Sequence, residues 1–322
     1  WYLSFAVIYS SIIAIAQFFL QHSVDGMLWF LGERTFDVTT SGIARIQLLP
    51  ISLSSHLPIN PSNVSDLLRP YATFPHPNVL GGFLAVTLPL IIYKSANDKS
   101  TNKKIKIFRW STILLGFIAL LLTFSRSAWV AGIIGLLILL FLHFRSIKNY
   151  LFIGLPAKAL ASAGFVVFIG FVGLLCVLPY FQTLTPENES VFVRNELNSA
   201  AMNMIIPNFR FPSSDFRHLF FGVGLGNFLV ELPKYYPHRD IFFLQPVHNI
   251  YLLLLSETGI VGCGTILYLL YRFLKRVTRK RLFVICHLSF VILLLLGFVD
   301  HYSLTLQQGQ LLFTILISFS FL

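Results

Sequence analysis

Charged residues are scarce in this chain. Only 11% of its 322 residues are Asp, Glu, Lys or Arg, whereas 56% are hydrophobic. A soluble chain is usually about one quarter charged, so this composition excludes an ordinary water-soluble enzyme. Long runs rich in Leu, Ile and Phe replace the missing charges, as is typical of a polytopic α-helical membrane protein.

Cysteine is also rare. The three cysteines, Cys176, Cys263 and Cys286, lie inside apolar segments and lack the spacing of a metal site or an arguable disulfide. We interpret them as small hydrophobic residues that pack between helices. The sequence therefore predicts no metal site and no cofactor.

The apolar runs predict an all-α bundle that forms one integral membrane domain over 1–322. About eight spans are expected, at 2–20, 76–93, 107–124, 127–144, 158–180, 248–271, 282–298 and 307–322. A single helix over 107–144 would be roughly 57 Å long, against a hydrocarbon core of about 30 Å. The chain is therefore expected to fold back within 123–127.

The basic residues indicate an orientation. Three short connections on one side, 94–109, 145–158 and 272–281, hold fifteen of the 24 Lys and Arg residues and a single acid, Asp98. The positive-inside rule makes this side cytoplasmic. The net charge of +11 is thus mostly an orientation signal, and no nucleic acid is expected as a partner.

The opposite side carries the longer segments 21–75 and 181–247 and a short turn at 299–306. We expect 181–247 to be a large external loop that contains short helices, one of them around 191–205. The residues that attract functional interest all fall on this side: Arg69, His76, Arg126, Arg194, His248, Asp300 and His301.

His248 begins the span predicted over 248–271. Pro246 fixes the helix start, and Asn249 supplies an adjacent amide. An imidazole near its ordinary pKa of about 6.5 suits deprotonation of a sugar hydroxyl. The alternative is a residue that only forms hydrogen bonds at the membrane interface.

Two carboxylates accompany this histidine in sequence. Glu257 lies nine residues on, about 180° around a straight helix and about 13 Å deeper, so it cannot orient His248 directly. A structural bond to a neighbouring helix is favoured over catalysis. Asp300, with His301, either orients an imidazole, holds an incoming hydroxyl or caps a helix.

Three arginines are candidates for anion binding. Arg126 lies between Ser125 and Ser127, whose hydroxyls would help a guanidinium coordinate phosphate oxygens; the alternative is an interfacial anchor. Arg194 and Arg69 raise the same question, and each alone is compatible with a structural ion pair.

The glycine motif of residues 222–228 is similar to a nucleotide-binding loop, but no strand precedes it, and a compact turn is favoured.

Several motifs in this order resemble the O-antigen ligase and O-antigen polymerase superfamily of bacterial envelope proteins. They are Arg69 with Thr73, Phe74 and 77–82, Thr123 with 125–127, Arg194, 222–228, 248–252 with 257–259, and Asp300 with His301. Since the family usually has more spans, the chain is expected to be a piece that lacks amino-terminal ones.

The resemblance implies glycosyl transfer without metal or nucleotide, at the periplasmic or extracellular face of the bacterial inner membrane. The donor would be a glycan on undecaprenyl pyrophosphate, and the acceptor lipid A–core or another lipid-linked glycan. Arg126 and Arg194, with Arg69, would hold the pyrophosphate, and His248 would activate the acceptor hydroxyl. Asp300 matches the family's acidic position.

Two other classes of protein remain open at this point. A transporter or flippase for a lipid-linked or anionic solute would use Glu257 as a proton relay. However, only Glu257 is clearly ionisable near a span midplane, which counts against a transmembrane pathway. A sensor or assembly protein would use its external loop for protein contacts.

Overall fold

The computed structural model describes residues 2–48, 65–96, 102–149, 189–206, 216–235, 245–275 and 281–319. Helices make up most of these residues and several are long enough to cross a membrane, which confirms the predicted all-α membrane bundle. The chain divides into two compact units, Trp1–Ala163 and Gly164–Leu322, and each is described by itself. The single membrane domain stays a prediction.

The described residues of the first unit form four long helices, a 3-10 segment and two short strands. Its elements are α1 (Tyr2–Leu20), a 3-10 segment (Gly26–Leu31), β1 (Arg45–Leu48), β2 (Ser65–Leu68), α2 (Pro77–Ala96), α3 (Lys103–Leu122) and α4 (Arg126–Asn149). The two strands pair antiparallel, with Arg45 opposite Leu68. Helices α1, α2 and α3 have the length and hydropathy of membrane spans, and α4 is apolar over Arg126–Leu139.

The turn between α3 and α4 confirms the predicted fold-back. The Thr123 hydroxyl donates to the carbonyl of Leu120 at 2.6 Å, and the Trp129 indole N–H donates to the same carbonyl at 2.8 Å. Gly81 of α2 lies directly against this turn, where a Cβ would be 3.0 Å from side-chain atoms of Thr123 and Ser125. The absence of a side chain at Gly81 thus lets α2 fix the position of the turn.

The second unit contains three helices of 6 to 17 residues, which are followed by the carboxy-terminal apolar helices. Its elements are α5 (Glu189–Ile205), α6 (Phe216–Phe221), α7 (Phe228–Tyr235), α8 (Ile250–Lys275), α9 (Arg281–Leu296), α10 (Tyr302–Thr305) and α11 (Gln307–Phe319). Helix α5 confirms the helix predicted around 191–205, and α8 has the character of a span over Ile250–Phe273. The span predicted at 158–180 lies outside the described residues.

A buried apolar cluster joins α5, α7 and the start of α8. Its members are Leu197, Ala200, Ala201, Met204, Phe228, Leu232, Tyr235, Val247 and Leu253. Because Val247 directly precedes His248, burial of this cluster fixes the backbone that carries the histidine.

Helix α8 is interrupted at Gly259, whose φ of 64° and ψ of −172° are not helical. The turn over residues 222–227 fills the break: Val223 N donates to Ser256 O at 2.9 Å, and Gly224 N donates to Glu257 O at 2.9 Å. The sequence indicates close packing at Gly259, and the structure adds the break itself. The turn supplies partners for carbonyls that a broken helix would leave unsatisfied.

Candidate functional site

His248 lies two residues before α8 rather than inside the helix. The side chain of Asn249 caps α8, since its Oδ1 accepts hydrogen bonds from the backbone N–H groups of Tyr251 at 2.9 Å and Leu252 at 3.1 Å. The span predicted from 248 therefore begins at Ile250. Consequently His248 is held by the cap and lies outside the apolar span.

The end of α9 is bound to the start of α8. Ile250 N donates to Gly297 O at 2.8 Å, and the Tyr251 hydroxyl donates to Leu294 O at 2.9 Å. A Cβ on Gly297 would lie only 2.3 Å from the Ile250 side chain, so the close approach requires glycine. Residues that follow Gly297 are thereby brought to His248.

The imidazoles of His248 and His301 meet edge to face. Their ring centroids are 5.1 Å apart, with an angle of 75° between the planes. His301 Nδ1 is hydrogen-bonded to Thr305 Oγ1, which also donates to the carbonyl of His301 at 3.1 Å. This arrangement places the proton of a neutral His301 on Nδ1 and leaves Nε2 as an acceptor.

Asp300 is buried next to His301. Only 8% of its surface is exposed, and its Oδ1 accepts a hydrogen bond from the backbone N–H of His301 at 2.9 Å. This bond fixes the carboxylate just before α10, whose N-cap residue is His301 and has no side-chain cap. The negative charge also raises the pKa of His301, so Asp300 acts on the histidine electrostatically as well.

The surroundings of both imidazoles disfavour their charged forms. Burial lowers the pKa of His248 to about 3, with further lowering from the charge of Arg194 and from His301. Burial also lowers the pKa of His301, where the effect of Arg194 is opposed by Asp300. The ordinary pKa that the sequence suggested for His248 is therefore wrong, because that expectation lacked both the burial and the nearby guanidinium.

Arg194 is the positive charge of this cluster. It lies on α5, which packs against α8, and it acts on the pKa of both histidines. Within the described part of the chain, no atom forms a hydrogen bond with His248 Nδ1, although that nitrogen is buried. The cluster thus combines a cation, a buried carboxylate and a neutral imidazole with an uncommitted nitrogen.

Glu257 does not contact His248. Its Oε1 accepts a hydrogen bond from the backbone N–H of Phe228, the first residue of α7, at 3.3 Å. A carboxylate at a helix amino terminus stabilises the helix through the macrodipole. This contact agrees with the structural role that the sequence favoured.

In the first unit, Arg69 braces the α3–α4 turn. Its Nε donates to Thr123 O at 2.8 Å, and its Nη2 donates to Asn78 Oδ1 at 2.7 Å. The side chain therefore ties the start of α2 to the turn that presents Arg126. Its predicted contact with pyrophosphate stays a prediction.

Arg126 is the first residue of α4. The hydroxyl oxygens of Ser125 and Ser127 lie 3.4 Å apart on either side of it. A helix amino terminus carries a partial positive charge, to which the guanidinium adds a full one. The position suits an anionic ligand, and the predicted binding of pyrophosphate by Arg126 stays a prediction.

Arg34 is a cation that the sequence interpretation missed. Its Nη1 donates to Pro75 O at 3.2 Å, and its guanidinium carbon lies 6.0 Å from the centre of the Tyr71 ring. Burial raises the pKa of Tyr71, and the charges of Arg69 and Arg34 oppose that rise. Arg34 therefore extends the positive surface around Arg69. The only signal in the sequence was its place on the predicted outer side.

Within the ranges described above, no three His, Cys, Asp or Glu side chains are grouped closely enough to hold a metal ion.

Comparison with known families gives a match over residues 111–269, to the family described as O-antigen ligase. This range includes Arg126, Arg194, His248 and Glu257, whereas Arg69, Asp300 and His301 lie outside it. No curated protein and no solved structure matches the chain. The family match confirms the resemblance seen in the motifs: residues 111–269 of this chain are similar to the O-antigen ligase family.

Proposed function

We propose that this protein is a membrane glycosyltransferase that moves a glycan from undecaprenyl pyrophosphate to an acceptor hydroxyl. The observation that carries the proposal is the pairing of neutral His248 with His301, beside Arg194 and Asp300, in a chain with an O-antigen ligase domain. The proposed site is the periplasmic or extracellular face of the bacterial inner membrane. The proposed acceptor is lipid A–core or another lipid-linked glycan.

His248 serves as the general base in this proposal. The acceptor oxygen forms a bond to the anomeric carbon of the donor sugar while the bond from that carbon to the pyrophosphate oxygen breaks. The electron pair of the broken bond leaves with undecaprenyl pyrophosphate, and the hydroxyl proton passes to His248. A neutral imidazole is the form that can accept this proton.

The low pKa of His248 suits this role once the charge of the donor is included. Burial and the charge of Arg194 disfavour the imidazolium form of His248. A bound pyrophosphate would add negative charge beside Arg194, which stabilises a protonated imidazole and raises the pKa of His248. Donor binding therefore converts a weak base into an effective one at the moment when it is needed.

The arginines hold the pyrophosphate in this proposal. Guanidinium groups bind phosphate oxygens through two parallel hydrogen bonds, and neutralising the leaving group lowers the barrier to its departure. Arg194 is supported by its effect on both histidines, and Arg126 by its position at the start of α4 and by the family resemblance. Arg69 supports Arg126 by holding the turn, and any pyrophosphate contact of its own is secondary.

The first experiment compares His248→Ala with His22→Ala in proteoliposomes that contain lipid-linked glycan and acceptor. His22 serves as the matched control because it lies just after α1, where its ring contacts the carbonyl of Ser23, and it has no role in the proposed reaction. Loss of a general base typically reduces the rate by about 10²–10⁴-fold. We expect that loss in His248→Ala alone, with both variants eluting as folded protein. Near-normal transfer by His248→Ala would refute its role as base.

A second experiment separates the geometry of the arginines from their charge. Arg194→Lys and Arg126→Lys keep the positive charge but lose the planar fork. We expect weaker donor binding in both variants, measured by competition with undecaprenyl pyrophosphate. Unchanged affinity in either variant would remove that arginine from the pyrophosphate site.

A further inference from the structure

The 3-10 segment Gly26–Leu31 exposes a dense apolar surface that the proposed reaction does not use. Met27 is 83% exposed, Phe30 82% and Trp29 60%. The segment contains no charged residue. In water, such a contiguous patch of large side chains would be unfavourable, so its surroundings require an explanation.

The segment folds back along α1 instead of continuing away from it. The Tyr9 hydroxyl donates to the carbonyl of Leu31 at 3.3 Å. Tyr9 lies eleven residues before Leu20, the last residue of α1, which corresponds to about 16 Å along the helix. A tyrosine side chain is much shorter than that distance. Leu31 therefore lies beside the span, below the end of the helix.

A buried carboxylate locks the base of the segment to α1. Glu33 is only 3% exposed, and its Oε1 accepts hydrogen bonds from Gln17 Nε2 and Val24 N, both at 2.7 Å. Its Oε2 accepts a hydrogen bond from Asp25 N at 2.9 Å. Since Gln17 belongs to α1, these bonds fix where the segment turns back.

The backbone of the segment has internal hydrogen-bond partners where it turns. Leu28 O accepts from Glu33 N at 3.0 Å, and Trp29 O accepts from Gly32 N at 3.2 Å. Tyr9 satisfies the carbonyl of Leu31. Backbone that faces lipid must find its partners within the protein, and these carbonyls meet that requirement.

We propose that Gly26–Leu31 is a re-entrant element immersed in the bilayer, with the hydrocarbon chains of lipids as its partner. Helix α1 exposes apolar side chains of its own at Phe5, Ile12 and Phe19, the kind of surface that a span presents to lipid. The 3-10 segment widens this surface near the end of α1. The proposal depends on α1 spanning the membrane and not on the glycosyl-transfer chemistry.

A depth measurement by spin labelling tests the proposal. Each labelling position is introduced in the full chain after replacement of Cys176, Cys263 and Cys286 by alanine, and the protein is reconstituted into liposomes. Met27→Cys carries the nitroxide in the 3-10 segment. Ile12→Cys marks the proposed lipid-facing surface of α1, and Ser41→Cys marks an exposed polar loop. Collision rates are measured with oxygen, which enriches in lipid, and with a water-soluble nickel chelate.

We expect the label at Met27 to match the Ile12 reference, with frequent oxygen collisions and few nickel collisions. A Met27 label that matches the Ser41 label would place the 3-10 segment in water and overturn the proposal. Low collision rates of the Met27 label with both reagents would show that protein covers the segment, which would also overturn the proposal. Tyr9→Phe, which removes only the hydroxyl that holds Leu31, should shift the Met27 label towards the water-exposed reference.

Discussion

Replacing Gly222 by alanine is expected to undock the turn over residues 222–227 from α8. A Cβ at this position would lie 2.2 Å from the carbonyl carbon of Glu257 and 2.4 Å from Thr258 N. These are backbone atoms of a helix and cannot move aside individually. The turn must therefore withdraw, which breaks the bonds from Val223 N to Ser256 O and from Gly224 N to Glu257 O.

The magnitude follows from these contacts. Each buried hydrogen-bonding group left without a partner costs about 1–3 kcal/mol, so two lost bonds cost about 2–6 kcal/mol. The φ of 70° at Gly222 adds about 1–2 kcal/mol for any residue with a side chain. The total expected loss of stability is about 3–8 kcal/mol, which is comparable with the whole free energy of unfolding of many proteins.

Gly226→Ala is the matched control. Gly226 belongs to the same turn and has a φ of 76°, but a Cβ there meets nothing within 4 Å. It should lose only the conformational contribution, about 1–2 kcal/mol. Thermal unfolding in detergent micelles, followed by circular dichroism, compares the two variants. Equal unfolding midpoints would refute the argument that docking of the turn stabilises the break in α8.

Three further outcomes are expected. First, the folded protein depresses the pKa of His248 from 6.5 to about 3, so the contribution of His248 to stability is present above pH 6.5 and is lost as the pH falls, by about 1.4 kcal/mol per pH unit. The midpoint of thermal unfolding, measured from pH 7.5 to 4.5, should therefore fall less in His248→Gln than in the parent protein. Identical curves for the two proteins would contradict this expectation. Second, donor binding that raises this pKa should take up a proton, which calorimetry in buffers of different ionisation enthalpy detects. Third, Asn249→Ala, which removes the cap of α8, should cost about 1 kcal/mol and reduce transfer, whereas Asn102→Ala, which removes the cap of α3, should leave transfer unchanged.

Helix positions and the fold-back between α3 and α4 could be predicted because they depend on local composition and on length. A mostly apolar segment of 38 residues is too long to cross the bilayer as one helix, whatever its tertiary contacts are, and the turn indeed begins at Thr123. The helix predicted around 191–205 likewise depended on local sequence, and the structure places it at Glu189–Ile205. Such features need no information about distant residues.

The features that the sequence did not predict depend on contacts between distant segments. The break at Gly259 needs Val223 and Gly224 as partners, and nothing in a glycine-containing apolar run distinguishes a break from a packing site. The low pKa of His248 likewise depends on burial and on Arg194, which lies 54 positions earlier. The contact of Arg69 with the α3–α4 turn is also long-range, because the carbonyl that Arg69 binds lies 54 positions later in the sequence.

The break in α8 has a mechanical consequence. The portion after Gly259, residues 260–275, is roughly 24 Å long, which is shorter than a hydrocarbon core of about 30 Å. The portion before it is attached to Gly297, which directly follows α9, and to the turn over residues 222–227. We expect a change in bilayer thickness to tilt the portion after Gly259, while the portion before Gly259 keeps its attachments. His248, which lies just before the attached portion, should then keep its position when the thickness of the bilayer changes.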